Sequence, residues 1–330
     1  MNARRPFATA GPSITHLRCA AVDDEAFAKD VIDAVVRESG ATGLRALHAK
    51  GTLCAATFTP TPAAASLSRA AHLTGGPRRA HVRFSNGSGV VGADYAPREG
   101  RGMALKIYLP DGMTTDVVAV TLPAFFVRTP EAFMEFVHAR QADPATGEPD
   151  PDAVNKFIGE HPESLTALGV VFADPTDSYL TAAYNALHTY LFEDAAGHST
   201  PIRYHLEPAG GVVTVPADEA AQRGPDHLQT DLAERLAARP VVFDLVVSIA
   251  GDGDPLDDPT AVWPEDRSRT VIGHVEITGI ATDRERDGDV LVFDPTRITD
   301  GIALSDDPIL RFRRAAYSES VLRRSGLRPG

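Results

Sequence analysis

The segment DDPILRFRRAAYSESVLRR, residues 306–324, decides the fold class of this chain. It opens with an aspartate pair and a proline, and no helix breaker follows before Gly326, which predicts a helix. Arg313 lies four residues before Tyr317 and Arg324 seven residues after it, so the three side chains share one helical face. Two arginines on an otherwise apolar face require anions.

Two interpretations of this face stay open at this point. Tyr317 could be a half-buried core tyrosine on a basic surface helix. Alternatively, it could be an ionised tyrosine bound to ferric haem iron, because a neighbouring guanidinium favours loss of the phenol proton. Haem propionates would then be the second set of anions.

Other segments carry a resemblance that favours the haem interpretation. FDPTR (residues 293–297) precedes the helix, and GLRALHAKG (43–51) with TFTPT (57–61) lies far upstream. RAHVRFS (79–85), REGRGMALKIY (98–108), LPAFFVRTP (122–130) and FMEFVH (133–138) follow in order. Together these segments resemble the catalases, in particular the minimal catalase-related haem peroxidases, over nearly the whole chain.

The resemblance implies an α+β haem-dependent catalase-like fold, an eight-stranded antiparallel β-barrel wrapped by helices with a C-terminal proximal helix. It implies ferric haem b at the barrel mouth, ligated by Tyr317, whose ionised state Arg313 supports. His48 would be the distal acid–base residue, tuned by Ser85. The resemblance further implies that Phe133 stacks on the porphyrin and that the propionates pair with three arginines, Arg45, Arg83 and Arg324.

One departure from the family bears on the activity. Val120 stands where catalases carry a distal asparagine, which should weaken peroxide disproportionation more than the first oxidation. We therefore expect a peroxidase that reduces hydrogen peroxide or organic hydroperoxides with a small organic electron donor and has weak catalase activity. The alternatives are a fatty-acid-hydroperoxide-rearranging enzyme similar to allene oxide synthase, and a non-enzymatic haem-binding barrel, against which His48 argues. The chain ends soon after Arg324, which makes the tetramer and NADPH site of larger catalases doubtful and leaves a homodimer open.

Local patterns agree with a barrel and indicate one domain. The predicted strands are 79–84, 104–109, 115–120, 201–206, 241–249 and 271–280, and the predicted helices are 26–38, 130–140, 178–191, 216–238 and the proximal helix. No linker composition divides the 330 residues. We therefore predict a single domain, with an N-terminal arm and helix (1–39), the barrel with inserted helices (40–290) and the proximal haem segment (291–330).

Composition excludes several function classes. Lys and Arg number 32 against 45 Asp and Glu, a formal net charge of −13, which argues against nucleic-acid and anionic-membrane partners. Two cysteines, Cys19 and Cys54, make a disulfide framework improbable and favour a reducing cytoplasm. No signal peptide or 18-residue apolar span is evident, so we expect a cytoplasmic protein.

A glycine pattern offers a competing cofactor prediction. Residues 87–92, GSGVVG, fit the dinucleotide fingerprint Gly-x-Gly-x-x-Gly. That fingerprint requires a helix to begin at the glycines, whereas a proline and two glycines follow between residues 93 and 102. We therefore expect a loop above the distal haem face. The 11 histidines form no metal-binding motif of their own.

Overall fold

The computed structural model describes residues 14–40, 43–88, 99–143, 145–282 and 290–327. The helices in these ranges are α1 (Ile14–Ser39), α2 (Ala64–Leu67), α3 (Pro130–Ala139), α4 (Pro151–Glu160), α5 (Ser164–Leu168), α6 (Ala217–Ala220), α7 (His227–Ala238) and α8 (Pro308–Arg324). The strands are β1 (Gly51–Pro60), β2 (Arg78–Asn86), β3 (Arg101–Tyr108), β4 (Thr114–Val120), β5 (Tyr184–Asn185), β6 (Tyr190–Glu193), β7 (Ser199–Pro208), β8 (Val241–Ile249), β9 (Arg269–Ile280) and β10 (Ile302–Leu304). Two 3₁₀ helices span Gly169–Phe172 and Tyr179–Thr181. Within the described ranges, no helix is both long and apolar enough to cross a membrane.

Eight of these strands close into an antiparallel barrel. The sheet runs β7-β5-β4-β3-β2-β1-β9-β8, and β8 pairs back onto β7, so the ring has no free edge. Strands β6 and β10 extend β7 outside the ring. The predicted eight-stranded antiparallel barrel with helices is therefore confirmed.

The barrel interior is filled by side chains that alternate with outward-facing ones. Phe84, Tyr179, Tyr184 and Phe243 pack with ring centroids 5.5–6.2 Å apart and are fully buried. Alternation along each strand sends the intervening residues of β2, β3 and β4 to the outer face. The barrel interior is therefore filled by packed side chains around these rings.

The cavity that holds the predicted site residues lies against this outer face. Outward-facing Ala104 and Val118 line it, and helices α1, α3, α4 and α8 form its other walls. The expected position of the cofactor, at the barrel mouth, stays a prediction. Because the interior is packed with aromatic rings, the space lies between the outer barrel surface and the helical layer.

One predicted helix, residues 178–191, is not formed. The chain instead makes the 3₁₀ turn Tyr179–Thr181, then β5, then β6. Leu187 takes a left-handed φ of 55°, which ends any regular element there. The aromatic and β-branched residues of this segment are stabilised more by pairing with β7 than they would be in a helix.

The predicted helix 216–238 is divided. It forms α6 and α7, separated by Gly224 and Pro225, because proline cannot donate the backbone hydrogen bond of a helix interior. Helix α8 follows its prediction closely. Asp307 caps it by accepting hydrogen bonds from the backbone amides of Ile309 (2.8 Å) and Leu310 (3.1 Å), and Pro308 occupies its first position.

Candidate active site

All nine predicted site residues line one cavity. Its volume is about 870 Å³, in the upper part of the range of roughly 300–1,000 Å³ that is typical of small-molecule and cofactor sites. The residues come from the loop before β1, from β2, β4, α3 and α8, and they are Arg45, His48, Arg83, Ser85, Val120, Phe133, Arg313, Tyr317 and Arg324. Residues as far apart in sequence as 45 and 324 therefore meet at one place.

The distal wall is built around His48. Its Nδ1 lies 3.0 Å from Ser85 Oγ, and the ring rests on Gly102, where a Cβ would come within 2.8 Å of His48 Nδ1. Burial, followed by the charge of Arg83, lowers the pKa of His48 to about 4. The imidazole is thus neutral at neutral pH and can accept a proton.

The proximal wall is formed by α8. Arg313 Nη1 lies 3.5 Å from Tyr317 Oη, one helical turn away, as the i, i+4 spacing predicts. The Arg313 guanidinium also lies over the Phe125 ring, 5.6 Å from its centroid. The arginine is therefore placed to stabilise negative charge on the phenol oxygen.

Two residues behind the proximal wall were not predicted as site residues. His188 Nδ1 lies 2.6 Å from Asp307 Oδ2, and both side chains are 1% exposed. Burial lowers the pKa of His188, although Asp307 opposes that shift, and the Arg313 charge adds to it. Asp307 was identified as a cap, but nothing in the sequence indicated that its second oxygen would meet a histidine 119 residues away.

The arginines predicted for the propionates have different surroundings. Arg45 Nη2 donates to the carbonyl of Leu291 (3.0 Å), and Arg324 is buried near the end of α8. Arg83 directs both terminal nitrogens at the backbone, to the carbonyls of His48 (3.0 Å) and Ala49 (3.1 Å). Arg83 thus links β2 to the distal loop through two backbone carbonyls.

Phe133 and Val120 occupy the cavity wall between these two sides. The Phe133 ring is nearly parallel to that of Phe125, with centroids 6.3 Å apart, and it also contacts Phe126. Stacking of Phe133 on a porphyrin stays a prediction. Val120 is the last residue of β4 and pairs with Asn185, so it brings an apolar side chain to the wall.

The donor set fits haem. The described lining contains five arginines, the four predicted ones and Arg140, but only two carboxylates, Glu38 and Glu99. Such an excess of cations favours a ligand with anionic groups, and the remaining walls are largely apolar. A phenol on one wall could ligate iron, and a neutral imidazole on another could exchange protons.

The competing cofactor predictions concern a dinucleotide site and a separate metal site. Residues 89–98, which hold most of the dinucleotide pattern and the segment after it, lie outside the described residues. In the ranges that the structure describes, no group of three or more His, Cys, Asp or Glu side chains is placed to hold a metal ion.

The fold and this donor set define an antiparallel barrel protein with a cofactor cavity that suits haem. Comparison with known proteins identifies the family: the catalase family model matches residues 30–328. A catalase-related peroxidase from Mycolicibacterium paratuberculosis is 44% identical over 303 residues, covering 91% of this chain and 95% of that protein. One from Synechococcus elongatus is 29% identical, covering 86% and 84%. A fungal catalase structure superposes with a TM-score of 0.79 at 23% identity, covering 99% of this chain and 66% of the catalase.

The chain therefore belongs to the catalase family. This confirms the predicted resemblance and fold, and the family implies a haem cofactor. The roles of the individual cavity residues stay predictions.

Proposed function

We propose that this protein is a haem-dependent peroxidase. It reduces hydrogen peroxide or an organic hydroperoxide with a small organic electron donor and has weak catalase activity. With hydrogen peroxide, the peroxide takes up two electrons and two protons to give two waters, and the donor loses two electrons and two protons. The observation that carries the proposal is the cavity that joins a neutral imidazole with its serine to a phenol–guanidinium pair.

The cofactor in this proposal is haem b with ferric iron, ligated by Tyr317. Bound haem would supply the redox chemistry between peroxide and donor. Arg313 faces the phenol oxygen of Tyr317 with a positive charge. Arg45 and Arg324 pair with the propionates, since buried carboxylates require charged hydrogen-bond donors.

His48 moves the proton on the distal side. With Ser85 Oγ accepting from Nδ1–H, the Nε2 lone pair is left to take a proton from the peroxide oxygen. The same nitrogen then returns that proton to the departing oxygen, so that water or an alcohol leaves rather than an anion. A low pKa suits this cycle because the imidazole starts neutral and becomes a strong acid once protonated.

The walls favour organic donors over a second peroxide. Val120 offers no polar atom to orient peroxide, and the cavity is lined by apolar residues of α1, α3 and α4, including Val35, Phe136 and Phe157. Aromatic and aliphatic walls of this kind accept organic molecules. The relative at 44% identity is named a catalase-related peroxidase, which supports peroxidase activity.

The proximal assignment is tested by absorption spectra of haemin-reconstituted wild-type protein, Tyr317→Phe and Tyr108→Phe. Tyr108 lies on β3 beside His81 and Arg79, away from the cavity lining, and controls for loss of a phenol elsewhere. We expect a high-spin ferric spectrum with a phenolate charge-transfer band that only Tyr317→Phe loses. A spectrum indifferent to residue 317 would contradict ligation by Tyr317.

The activity is tested by giving the wild-type holoprotein hydrogen peroxide with and without an aromatic donor. We expect donor oxidation to dominate and oxygen release to be slow. Oxygen release at the rate of true catalases would contradict the peroxidase proposal. Rapid turnover of fatty-acid hydroperoxides without any donor would favour the rearranging enzyme instead.

We further propose that residues 1–330 act as a single haem domain in the cytoplasm.

A further inference from the structure

The distal histidine has a backbone conformation that side-chain-bearing residues seldom adopt. His48 has a φ of 56°, in the left-handed region, and it lies in a loop between α1 and β1. Such a conformation persists only where the surroundings enforce it. The groups that hold this loop therefore help to decide where the imidazole points.

Hydrogen bonds fix the loop from two sides. On the amide side, His48 N donates to Gly87 O and Ala49 N to Ser88 O, each at 3.2 Å. On the carbonyl side, Arg83 Nη1 donates to His48 O (3.0 Å) and Arg83 Nη2 to Ala49 O (3.1 Å). One planar guanidinium thus bridges two successive carbonyls, a task that suits its fixed fork of donors.

Neighbouring glycines make room for this arrangement. At Gly51 a Cβ would lie 2.7 Å from Arg83 Cζ and Nη1, so a side chain there would push against the guanidinium. At Gly102 a Cβ would lie 2.8 Å from both His48 Nδ1 and Ser85 Oγ. The bare backbone at these two positions lets the arginine and the imidazole reach their places together.

We propose that Arg83 is a positioning residue for the peroxide reaction, clamping the His48 and Ala49 carbonyls so that the distal imidazole keeps its orientation. This role rests on the proposed peroxidase function. It differs from the propionate pairing that the sequence resemblance implies, because it concerns the protein's own backbone and not the cofactor.

The Arg83 charge has a second effect on the same imidazole. After burial it is the largest cause that lowers the pKa of His48, ahead of Arg313 on α8, while Arg45 in the His48 loop adds a smaller effect in the same direction. A hydrogen bond with the Asn86 backbone opposes them, and Ser85 Oγ faces Nδ1. Loss of the Arg83 charge should therefore raise the pKa of His48 toward its ordinary value near 6.5.

The test compares Arg83→Gln and Arg83→Lys with wild type and with Arg79→Lys. Arg79 is an exposed residue of the same strand whose guanidinium lies over the Tyr108 ring, so it is a matched control. Three quantities are measured on each protein. They are haem content, the second-order rate with hydrogen peroxide as a function of pH, and amide hydrogen exchange of the peptide that contains residues 48 and 49, the last with and without haem.

We expect Arg83→Gln to keep its haem and to exchange the 48–49 amides faster. It should react with peroxide about 10-fold to 100-fold more slowly, since misplacement by about 1 Å can cost that much. Its rate should also fall at a higher pH than that of wild type as the solution is acidified. Arg83→Lys, which keeps the charge but not the fork, should show the faster exchange and the slower rate without the shift in pH.

Other outcomes overturn the proposal. If Arg83→Gln loses haem while the exchange is unchanged, Arg83 serves the propionates. If Arg83→Lys matches wild type in rate and exchange, only its charge matters. The lysine variant carries the test if the glutamine variant does not fold. The exchange measurement needs no peroxide. It therefore tests whether Arg83 holds the His48 loop even if the wild-type protein proves to be no peroxidase.

Discussion

Replacing Asp307 with alanine removes three hydrogen bonds that start the proximal helix. Oδ1 accepts from Ile309 N and Leu310 N, and Oδ2 accepts from His188 Nδ1 at 2.6 Å. Loss of a helix cap costs about 1 kcal/mol, and a buried imidazole N–H left without a partner costs about 1–3 kcal/mol. Relief of the desolvated carboxylate offsets part of this. We expect the free energy of unfolding to fall by roughly 1–3 kcal/mol, a substantial share of the ~5–15 kcal/mol typical of a folded domain.

The asparagine variant separates the two contributions. Asp307→Asn keeps a good cap and replaces the charged acceptor beside His188 Nδ1 with a neutral amide, so it should cost only the charge-assisted part of that bond, about 1–2 kcal/mol. The assay is equilibrium urea unfolding of the protein without haem, with Asp306→Asn as control, because the neighbouring Asp306 is largely exposed and pairs with Arg311 at the surface. The expected order of stability is wild type and Asp306→Asn, then Asp307→Asn, then Asp307→Ala. An alanine variant within about 0.5 kcal/mol of wild type would refute the reasoning.

Three further changes have expected outcomes. Val120→Asn should raise oxygen release from hydrogen peroxide relative to donor oxidation, and an unchanged ratio of the two rates would argue against Val120 as the cause. His72 is 1% exposed, and burial lowers its pKa to about 3, so its contribution to stability is complete above pH ~6.5 and is lost as the pH falls. His72→Leu should reduce the stability lost between pH 7 and 4.5 by about 2–3 kcal/mol in urea unfolding, and a loss equal to that of wild type would contradict the assignment to His72. Asp116→Asn should destabilise the fold by about 3–5 kcal/mol in urea unfolding, because buried Lys106 and Arg297 would then face a neutral amide, and a loss below about 1 kcal/mol would contradict this.

Elements that are specified by their own residues could be predicted from the sequence. Asp307, Pro308 and an uninterrupted run to Arg324 specify α8 within its own residues, and the observed bounds agree. Strand β8 has its predicted limits. An alternating or apolar run of this length forms a strand once a neighbouring strand is available to pair with it. The gathering of the nine site residues followed from the family resemblance and not from periodicity.

Long-range pairing explains what could not be predicted. The segment 178–191 has an acceptable helical pattern, and only the closed ring of strands shows why its residues pair with β7 instead. The His188–Asp307 bond joins positions whose sequence contexts are unrelated. The position of the cavity likewise depends on which face of the barrel is packed, and alternation along a strand cannot tell the inner face from the outer one.

The two walls of the cavity are held by different parts of the fold. The distal imidazole rests on β2 and β3 through Ser85, Arg83 and Gly102, so its geometry is as rigid as the closed barrel. The proximal helix packs instead on α1, where the Phe27 and Phe312 rings lie 5.6 Å apart and Arg323 bonds Asp33 at 2.7 Å. A pair of helices with few contacts to strands changes its packing more easily than a closed barrel does. Changes in the α1–α8 contact should therefore alter the size of donor that the cavity admits, while proton transfer at His48 depends on the barrel.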